Sequence, residues 1–172
     1  MHRTMEQLES GLDHVLGSPA ESGALEQIVR RPAVGEREVL ESAELDPQHG
    51  LVGDRWGARR SANADCQINI MNARVIELVA GDRHRWSLAG DQLFVDLDLS
   101  ESNLPVGSRV AIGCAIVEVT APPHTGCSKF AARFGMDARD FVNARKHLRL
   151  RGVNARVVEG GTIRVGDRAR KL

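Results

Sequence analysis

Residues 104–120 read LPVGSRVAIGCAIVEVT. Valine, isoleucine and alanine dominate two short arms of this segment, and β-branched side chains favour strands. The sole break between the arms is Gly113-Cys114, a pair suited to a hairpin turn. We therefore predict two antiparallel strands here, and a mainly β fold is the first hypothesis.

The regions on either side of this hairpin add further strand signals. LFVDLDL alternates strictly, with leucine and valine on one side and aspartates on the other. Gly and Pro closely bracket an ambiguous segment, EREVLESAEL, and favour a strand there as well. The predicted strands outside this hairpin cover residues 24–32, 36–45, 66–72 and 93–99. In the last part of the chain we predict a second hairpin, which turns at Gly160-Gly161, and then a terminal strand.

Helices are few in this pattern. Residues 137–148 predict a helix with Asp137 as N-cap, and Gly81 can end a helix over ARVIELVAG. An amphipathic helix is predicted from Thr4 to Leu16, before the linker SPAESG. Many short strands with few helices favour a closed or nearly closed β-barrel with peripheral helices. We assign residues 1–24 to the helix and linker, and 25–172 to the barrel.

Composition narrows the classes of function. Lys plus Arg and Asp plus Glu each total 23, so the net charge is zero and a broad nucleic-acid surface is not expected. No apolar run approaches the roughly 20 residues of a membrane span. The cysteines number three and form no C-x-x-C pair, which argues against a disulfide framework and a cysteine-based zinc site. A reducing cytoplasm is the expected location.

A long polar loop joins two of the predicted strands. It reads DPQHGLVGDRWGARRSANAD and spans residues 46–65. Loops of this length inside compact domains are often functional. Arg55, Arg59 and Arg60 are suited to bidentate contacts with phosphate or carboxylate. We expect the part from Gly50 to Asp65 to fold over the same barrel end as the cysteine described next.

Cys127 is the strongest candidate for chemistry. It lies in the loop TAPPHTGCSKF, residues 120–130, before a possible helical segment. A helix N-terminus, together with Lys129 and His124, could lower the pKa of this thiol. Such a cysteine can act as a nucleophile, a sulfur carrier or a soft metal ligand. A small apolar side chain packed under the loop remains the structural alternative, and packing is the reading for Cys114 and Cys66.

These segments, in this order and spacing, resemble the MOSC family, the domain named for the C-terminal part of molybdenum-cofactor sulfurases. The resemblance runs from about Leu25 to Arg168. It rests on GLVGDRW, QINIMN, the segment 89–120, PHTGCSKF and GVNARVVEGGTIRVGDR. The family's usual G-E-N-L box is here Gly90-Asp91-Gln92-Leu93. The aminotransferase-like domain of full sulfurases, with its pyridoxal-phosphate lysine, is absent from this chain.

The resemblance implies a β-barrel that binds the molybdenum cofactor through the cysteine at position 127, as metal ligand or in sulfur transfer. The candidate catalytic residues are Cys127, which the resemblance implies, and His124 and Lys129, which are its neighbours in sequence. The candidate cofactor-binding residues are Gly90, Asp91 and Gln92 of the box, and the loop arginines Arg55, Arg59 and Arg60, which suit a phosphate. No haem or iron–sulfur ligand set is visible in the sequence, so a reductase would need an external electron donor, and a sulfur-handling protein an external sulfur donor. A metal-free thiol enzyme and a non-catalytic interaction module remain the alternatives.

Overall fold

A computed structural model describes residues 2–59 and 62–172 of the chain. It is mainly β, as predicted, with five short α-helices in the described part. The strands are β1 (Ser22–Arg30), β2 (Glu38–Leu40), β3 (Ser42–Asp46), β4 (Gly50–Leu51), β5 (Ile68–Asn72), β6 (Leu93–Val95), β7 (Arg109–Ile112), β8 (Ala115–Pro123), β9 (Val153–Glu159), β10 (Gly161–Arg164) and β11 (Arg168–Lys171).

Seven of these strands close into a barrel. Their order is β11, β7, β8, β9, β5, β6 and β1, and β1 pairs back onto β11. All the pairings are antiparallel except β5 with β6, which are parallel with Ile70 opposite Leu93. The predicted hairpin is confirmed, since β7 and β8 pair from Arg109–Glu118 to Ile112–Ala115 around Gly113-Cys114. Closure leaves the seven strands with no open edge at the seam.

The last part of the chain differs from the prediction. Gly160-Gly161 does not turn a hairpin, because β10 pairs with β3 in a separate three-stranded sheet that also contains β4. Gly161 lies so close to another loop that an added Cβ would be 2.4 Å from the carbonyl oxygen of Cys114. The chain therefore turns a corner here to leave the barrel, and it returns with β11.

The barrel interior is built from aliphatic side chains. Alternate residues of the strands point inward, as a period of two requires. The interior cluster includes Leu25, Ile28, Ile68, Ile70, Leu93, Val95, Val117, Val119, Val153 and Ala155, all almost completely buried. The strand predicted over 93–99 is shorter than expected, because its regular pairing ends at Val95, but Leu97 and Leu99 still reach the interior.

The helices cover part of the outer face of the barrel. They are α1 (Met5–Ser10), α2 (Leu12–Leu16), α3 (Ala73–Ala80), α4 (Ser128–Phe134) and α5 (Met136–Ala144). Outward residues of three strands, Val29, Met71 and Phe94, pack with them in a second buried cluster. The fully buried Leu8 of α1 belongs to this cluster, so the N-terminal segment lies outside the barrel and packs on its helical layer.

Three local predictions need correction. Asp137 is not the N-cap of α5, because Gly135 holds that position, and the Asp137 carboxylate instead accepts the Met5 amide at 2.9 Å. Cys66 does not begin a strand, since it ends a short 3-10 helix before β5. Cys114 is exposed at its turn rather than packed. Within the described residues, no helix combines the length and apolar character needed to cross a membrane.

Candidate functional site

Cys127 is the exposed residue immediately before α4. The loop that carries it is held by α5, because the Asn143 side chain accepts from the Gly126 amide at 2.8 Å and donates to the Gly126 carbonyl at 3.0 Å. This pair of bonds gives the backbone next to the thiol a defined position. The exposure of Cys127 agrees with the sequence-based prediction.

The pKa of the Cys127 thiol is lowered from its ordinary value. The amides of Phe130 and Lys129 in the first turn of α4 favour the thiolate, as does the charge of Arg151, whereas partial burial opposes them. These amides lie at the N-terminus of α4, where backbone N–H groups without an intrahelical acceptor stabilise a negative charge. The direction and one expected source, the helix N-terminus, match the prediction, whereas the Lys129 ammonium and the His124 imidazole are not among the causes.

Asp91 is the centre of a buried charged network with His124 and Arg151. One carboxylate oxygen of Asp91 lies 2.8 Å from His124 Nε2, and the other accepts from Arg151 Nη1 at 2.6 Å. Arg151 also donates to the Ala89 carbonyl, and its guanidinium lies 4.8 Å from the ring centre of Phe130. We call Asp91, His124 and Arg151 the Asp91 network.

The protonation states within the Asp91 network follow from burial and charge. Burial raises the pKa of the Asp91 carboxyl, but Arg151 and His124 outweigh it, so that pKa is lowered overall. Burial, and then Arg151, lower the pKa of His124 despite the opposing effect of Asp91. At neutral pH the network is therefore a carboxylate between a guanidinium and a neutral imidazole. The Nε2 atom of His124 is engaged by Asp91, and a role of His124 toward the Cys127 thiol remains a prediction.

A second group of charges lies beside the Asp91 network. Arg31, the residue after β1, donates three hydrogen bonds to the fully buried carboxylate of Asp54, two from its guanidinium at 3.0 and 2.9 Å and one from its backbone amide at 2.8 Å. Its third guanidinium nitrogen donates to the Gly90 carbonyl at 2.9 Å. The Arg55 amide donates to the Arg31 carbonyl at 2.8 Å. Arg31 thus joins the long polar loop to the residue that precedes Asp91.

Further arginines converge on Gly90. An added Cβ at this glycine would lie 3.7 Å from Arg37 Nη2 and 3.9 Å from Arg133 Nη1. Burial lowers the pKa of Arg37, and the charges of Arg133, Arg31 and Arg55 lower it further. Burial and the charges of Arg31 and Arg59 similarly lower the pKa of Arg55. We call Arg31, Arg37, Arg55 and Arg133 the arginine cluster. The repulsion between these guanidinium groups indicates a strongly positive electrostatic potential at the site.

Of the arginines predicted to act in the long loop, one belongs to the arginine cluster and another is exposed to solvent. Arg55 belongs to the cluster and Arg59 is exposed near it. Arg60 lies outside the described residues. Thr120, within β8, donates to the Asp65 carbonyl, so the C-terminal end of the loop is anchored to the barrel. That one ligand touches both this loop and Cys127 remains a prediction.

The polar side chains of the Gly90–Gln92 segment are bound by other residues of the protein, so they stabilise the site and are not free to bind a ligand. Gln92 is completely buried, and its side chain accepts from the Asn69 amide at 2.7 Å and donates to the Gln67 carbonyl at 3.2 Å. The Asp91 carboxylate is occupied by its two partners. The Gly90 backbone is engaged as well, because its carbonyl accepts from Arg31 and its amide donates to the Ser87 carbonyl at 3.2 Å. Lys129 is exposed and forms no ion pair within the described residues.

Sequence reasoning missed Arg31, Arg37 and Arg133. These residues come from the end of β1, the loop before β2, and α4, so no local motif unites them. One signal was available, since paired arginines before a proline close the first predicted strand at VRRP. Charged residues at a strand end lie at the rim of a barrel, where sites commonly form.

The sequence matches a known domain family. A family model described as the MOSC domain matches residues 59–170. No curated protein matches the sequence. The matched segment contains Asp91, His124, Cys127 and Arg151, whereas Arg31, Arg37 and Arg55 precede it.

Several solved structures share the fold. The YuaD protein from Bacillus subtilis aligns with a TM-score of 0.58 and 17% identity, over 86% of this chain and 94% of its own. YiiM from Escherichia coli aligns with a TM-score of 0.56 and 18% identity, over 87% of this chain and 69% of its own. YiiM from Geobacillus stearothermophilus gives 0.54 and 17%, over 89% and 73%. At these identities the likeness supports the fold alone.

Proposed function

This chain belongs to the MOSC domain family, and from that premise we propose that it binds the molybdenum cofactor, with Cys127 as the ligand of the metal. The role would be that of a small oxidoreductase or of a protein that handles the cofactor or its sulfur. The observation that carries the proposal is an exposed thiol whose pKa is lowered by helix amides and by the charge of Arg151, in a protein that also holds a partly buried cluster of mutually repelling arginines.

The thiol fits a soft metal. Thiolate sulfur is a preferred ligand of soft metal centres, and a lowered pKa increases the thiolate fraction near neutral pH. Within the described residues, no group of three or more His, Cys, Asp or Glu side chains is placed to hold a metal ion. A metal at this site would therefore depend on one protein thiolate and on ligands that a cofactor brings with it.

The arginines fit the phosphate of a pterin cofactor. The Nε atoms of Arg37, Arg55 and Arg151 are buried and find no hydrogen-bond acceptor within the described part of the chain. A buried donor left without a partner costs about 1–3 kcal/mol. A bound phosphate would supply acceptors and offset the repulsion between the guanidinium groups. Arg31 is less available, because Asp54 already binds it.

The protein's own residues would then have separate tasks. The cofactor would supply a redox-active metal. Cys127 would hold that metal, and Arg37 and Arg55 would bind the phosphate. Arg151 would favour the thiolate through its charge, and Asp91 would hold Arg151 in place. A reductase of this kind needs an external electron donor, and a sulfur-handling protein needs an external sulfur donor. A reducing cytoplasm, which keeps all three cysteines as free thiols, is part of the proposal.

The test is co-purification of molybdenum and pterin from a host with an intact cofactor pathway. We expect both in the wild type and a loss of both in Cys127→Ser, because a hydroxyl does not ionise near neutral pH and is a poorer ligand for a soft metal. Cys114→Ser is the matched control, since Cys114 is also exposed. Arg55→Ala should weaken retention without changing the metal's absorption spectrum. Equal metal in the wild type and Cys127→Ser would exclude Cys127 as the ligand.

A metal-free thiol enzyme is the second candidate, and the lowered pKa of Cys127 is what favours it. If the wild type takes up no purified cofactor yet forms a stable adduct with thioester or disulfide substrates at Cys127, this candidate replaces the first. If neither occurs, a non-catalytic interaction module with the same fold is the remaining reading.

A further inference from the structure

A cavity of about 590 Å³ lies beside the Cys127 loop. Its walls are the end of β8, the loop His124–Gly126, the end of α5 and the turn Lys146–Arg149. The lining contains neither Cys127 nor a member of the arginine cluster. Small-molecule pockets typically measure about 300–1,000 Å³, so this cavity is large enough to hold one small ligand.

The walls are largely apolar. The apolar side chains of the lining are those of Val106, Ala121, Pro122, Pro123, Val142 and Val153. The two asparagines of the lining are already engaged, because Asn143 binds the Gly126 backbone and Asn154 binds Asn69 and the Pro122 carbonyl. The cavity therefore offers a ligand an apolar surface and only a few free polar groups.

His124 supplies one of these polar groups. Its Nε2 atom lies 2.8 Å from the Asp91 carboxylate, which can only accept, so Nε2 carries the proton of the neutral ring. Nδ1 is then the acceptor nitrogen, and residues 2–59 and 62–172 form no hydrogen bond with it. The side chain of His124 is 17% exposed and lines the cavity. The edge that carries Nδ1 is thus the polar edge available to a ligand.

The charged groups of the cavity are mostly positive. Lys146 and Arg149 line it and form no ion pair within the described part of the chain. Arg149 is positioned by hydrogen bonds from Nη1 to the carbonyls of Leu104, at 2.6 Å, and Leu99. Glu101 is the one carboxylate among the lining residues. The net charge of the lining is therefore +1, from two cations and one anion.

We propose that this cavity is a binding site for a small, partly apolar anion that also carries an N–H or O–H group. Lys146 and Arg149 bind the anionic end, the valine and proline walls cover the apolar part, and His124 Nδ1 accepts the hydrogen bond of the donor group. The pairing with Asp91 holds the ring so that this acceptor is presented to the ligand. This site does not depend on the proposed binding of molybdenum.

The test uses the full chain, made without the cofactor pathway, and two fluorescent probes. 8-Anilinonaphthalene-1-sulfonate has an apolar frame, an N–H group and a negative charge. N-Phenyl-1-naphthylamine has the same frame and N–H without the charge. We expect saturable one-to-one binding of the anion, weaker binding of the neutral probe, and competition between the two.

Variants locate the binding. Val106 is 55% exposed, so Val106→Trp should fold normally and fill the cavity mouth, with a loss of anion binding. Lys146→Gln should weaken the anion about fivefold, the size of a single exposed ionic contact, whereas Lys171→Gln, which is not part of the lining, should not. His124→Gln, which keeps a donor for Asp91, should weaken both probes.

The proposal is overturned if Val106→Trp binds the anion as tightly as the wild type, or if the neutral probe binds as tightly as the anion. It is also overturned if Lys146→Gln and Lys171→Gln have the same effect. Thermal unfolding of each variant shows whether a loss of binding reflects a loss of folding. Because no metal is present, none of these results bears on Cys127 as a metal ligand.

Discussion

The barrel interior and the layer between barrel and helices are both buried, but they differ in chemistry. The interior cluster is entirely aliphatic. The outer layer contains all four phenylalanines and Trp86, and it adjoins the buried Asp91 network. An aliphatic interior is stabilised by close packing alone. A buried carboxylate is strongly destabilising unless it keeps its charged and hydrogen-bonding partners. The candidate site is therefore built where the two layers meet, and not inside the barrel.

The strongest test of this comparison is Asp91→Ala. It leaves Arg151 as a buried guanidinium without its carboxylate, and removing one partner of a buried pair costs about 3–5 kcal/mol. Ile112→Val in the barrel interior should cost only about 0.5–1.5 kcal/mol. The free energy of unfolding in urea measures both. Equal losses would contradict the distinction drawn between the two regions.

The loss of unfolding free energy caused by Asp91→Ala should also depend on pH. The lowered pKa of Asp91 means that its stabilising contribution is present above the ordinary carboxyl pKa and is lost as the pH falls through the folded-state value. The difference in unfolding free energy between wild type and Asp91→Ala should therefore shrink in acid. Urea melts at neutral and acidic pH measure this difference. A constant difference would show that the carboxylate charge is not what stabilises the network.

Deleting residues 1–20 tests how far the helical layer is separable from the barrel. Leu8 is completely buried in that layer, so its loss should lower stability by roughly 2–5 kcal/mol, the range for removing a buried leucine side chain. The barrel strands begin at Ser22 and should still unfold cooperatively. Leu8→Ala in the full chain is the comparison. Loss of a cooperative melt on deletion would show that residues 1–24 complete the domain, contrary to the boundary predicted here.

Thiol labelling compares a cysteine at the site with cysteines elsewhere. The pKa of Cys127 is lowered, whereas burial and the charge of Asp65 raise the pKa of Cys66. Iodoacetamide should therefore modify Cys127 first, and its rate should reach half of its maximum at a lower pH than that of Cys66. Peptide mass spectrometry identifies the labelled residue. Faster labelling of Cys66 or Cys114 would remove Cys127 as the reactive thiol.

The smallest expected effect is that of Cys114→Ser. The residue is exposed at the β7–β8 turn, and surface substitutions away from special features change stability by at most about 0.5 kcal/mol. A calorimetric melt of this variant beside the wild type measures the change. A loss above about 1 kcal/mol would show that the turn carries a packing role that its exposure does not indicate.

Part of the candidate site could be predicted from local sequence. Cys127 stands out because it follows glycine in a loop before a helix, and Arg55 because it lies in a long loop. The roles assigned to Gln92 and His124 could not be predicted. Both sit next to polar neighbours in sequence, but their partners, Asn69 and Asp91, are distant in the chain and come near only when the barrel closes.

The sequence by itself determined the period-two strands, the β7–β8 hairpin and the mainly β class, because alternation and turn chemistry act between neighbouring residues. Only the tertiary structure decided that β10 leaves the barrel for β3 and that arginines from the β1–β2 loop and from α4 meet at Gly90. Strand partners and charge clusters depend on how the whole sheet closes, and a local pattern contains no information about contacts between segments a hundred residues apart.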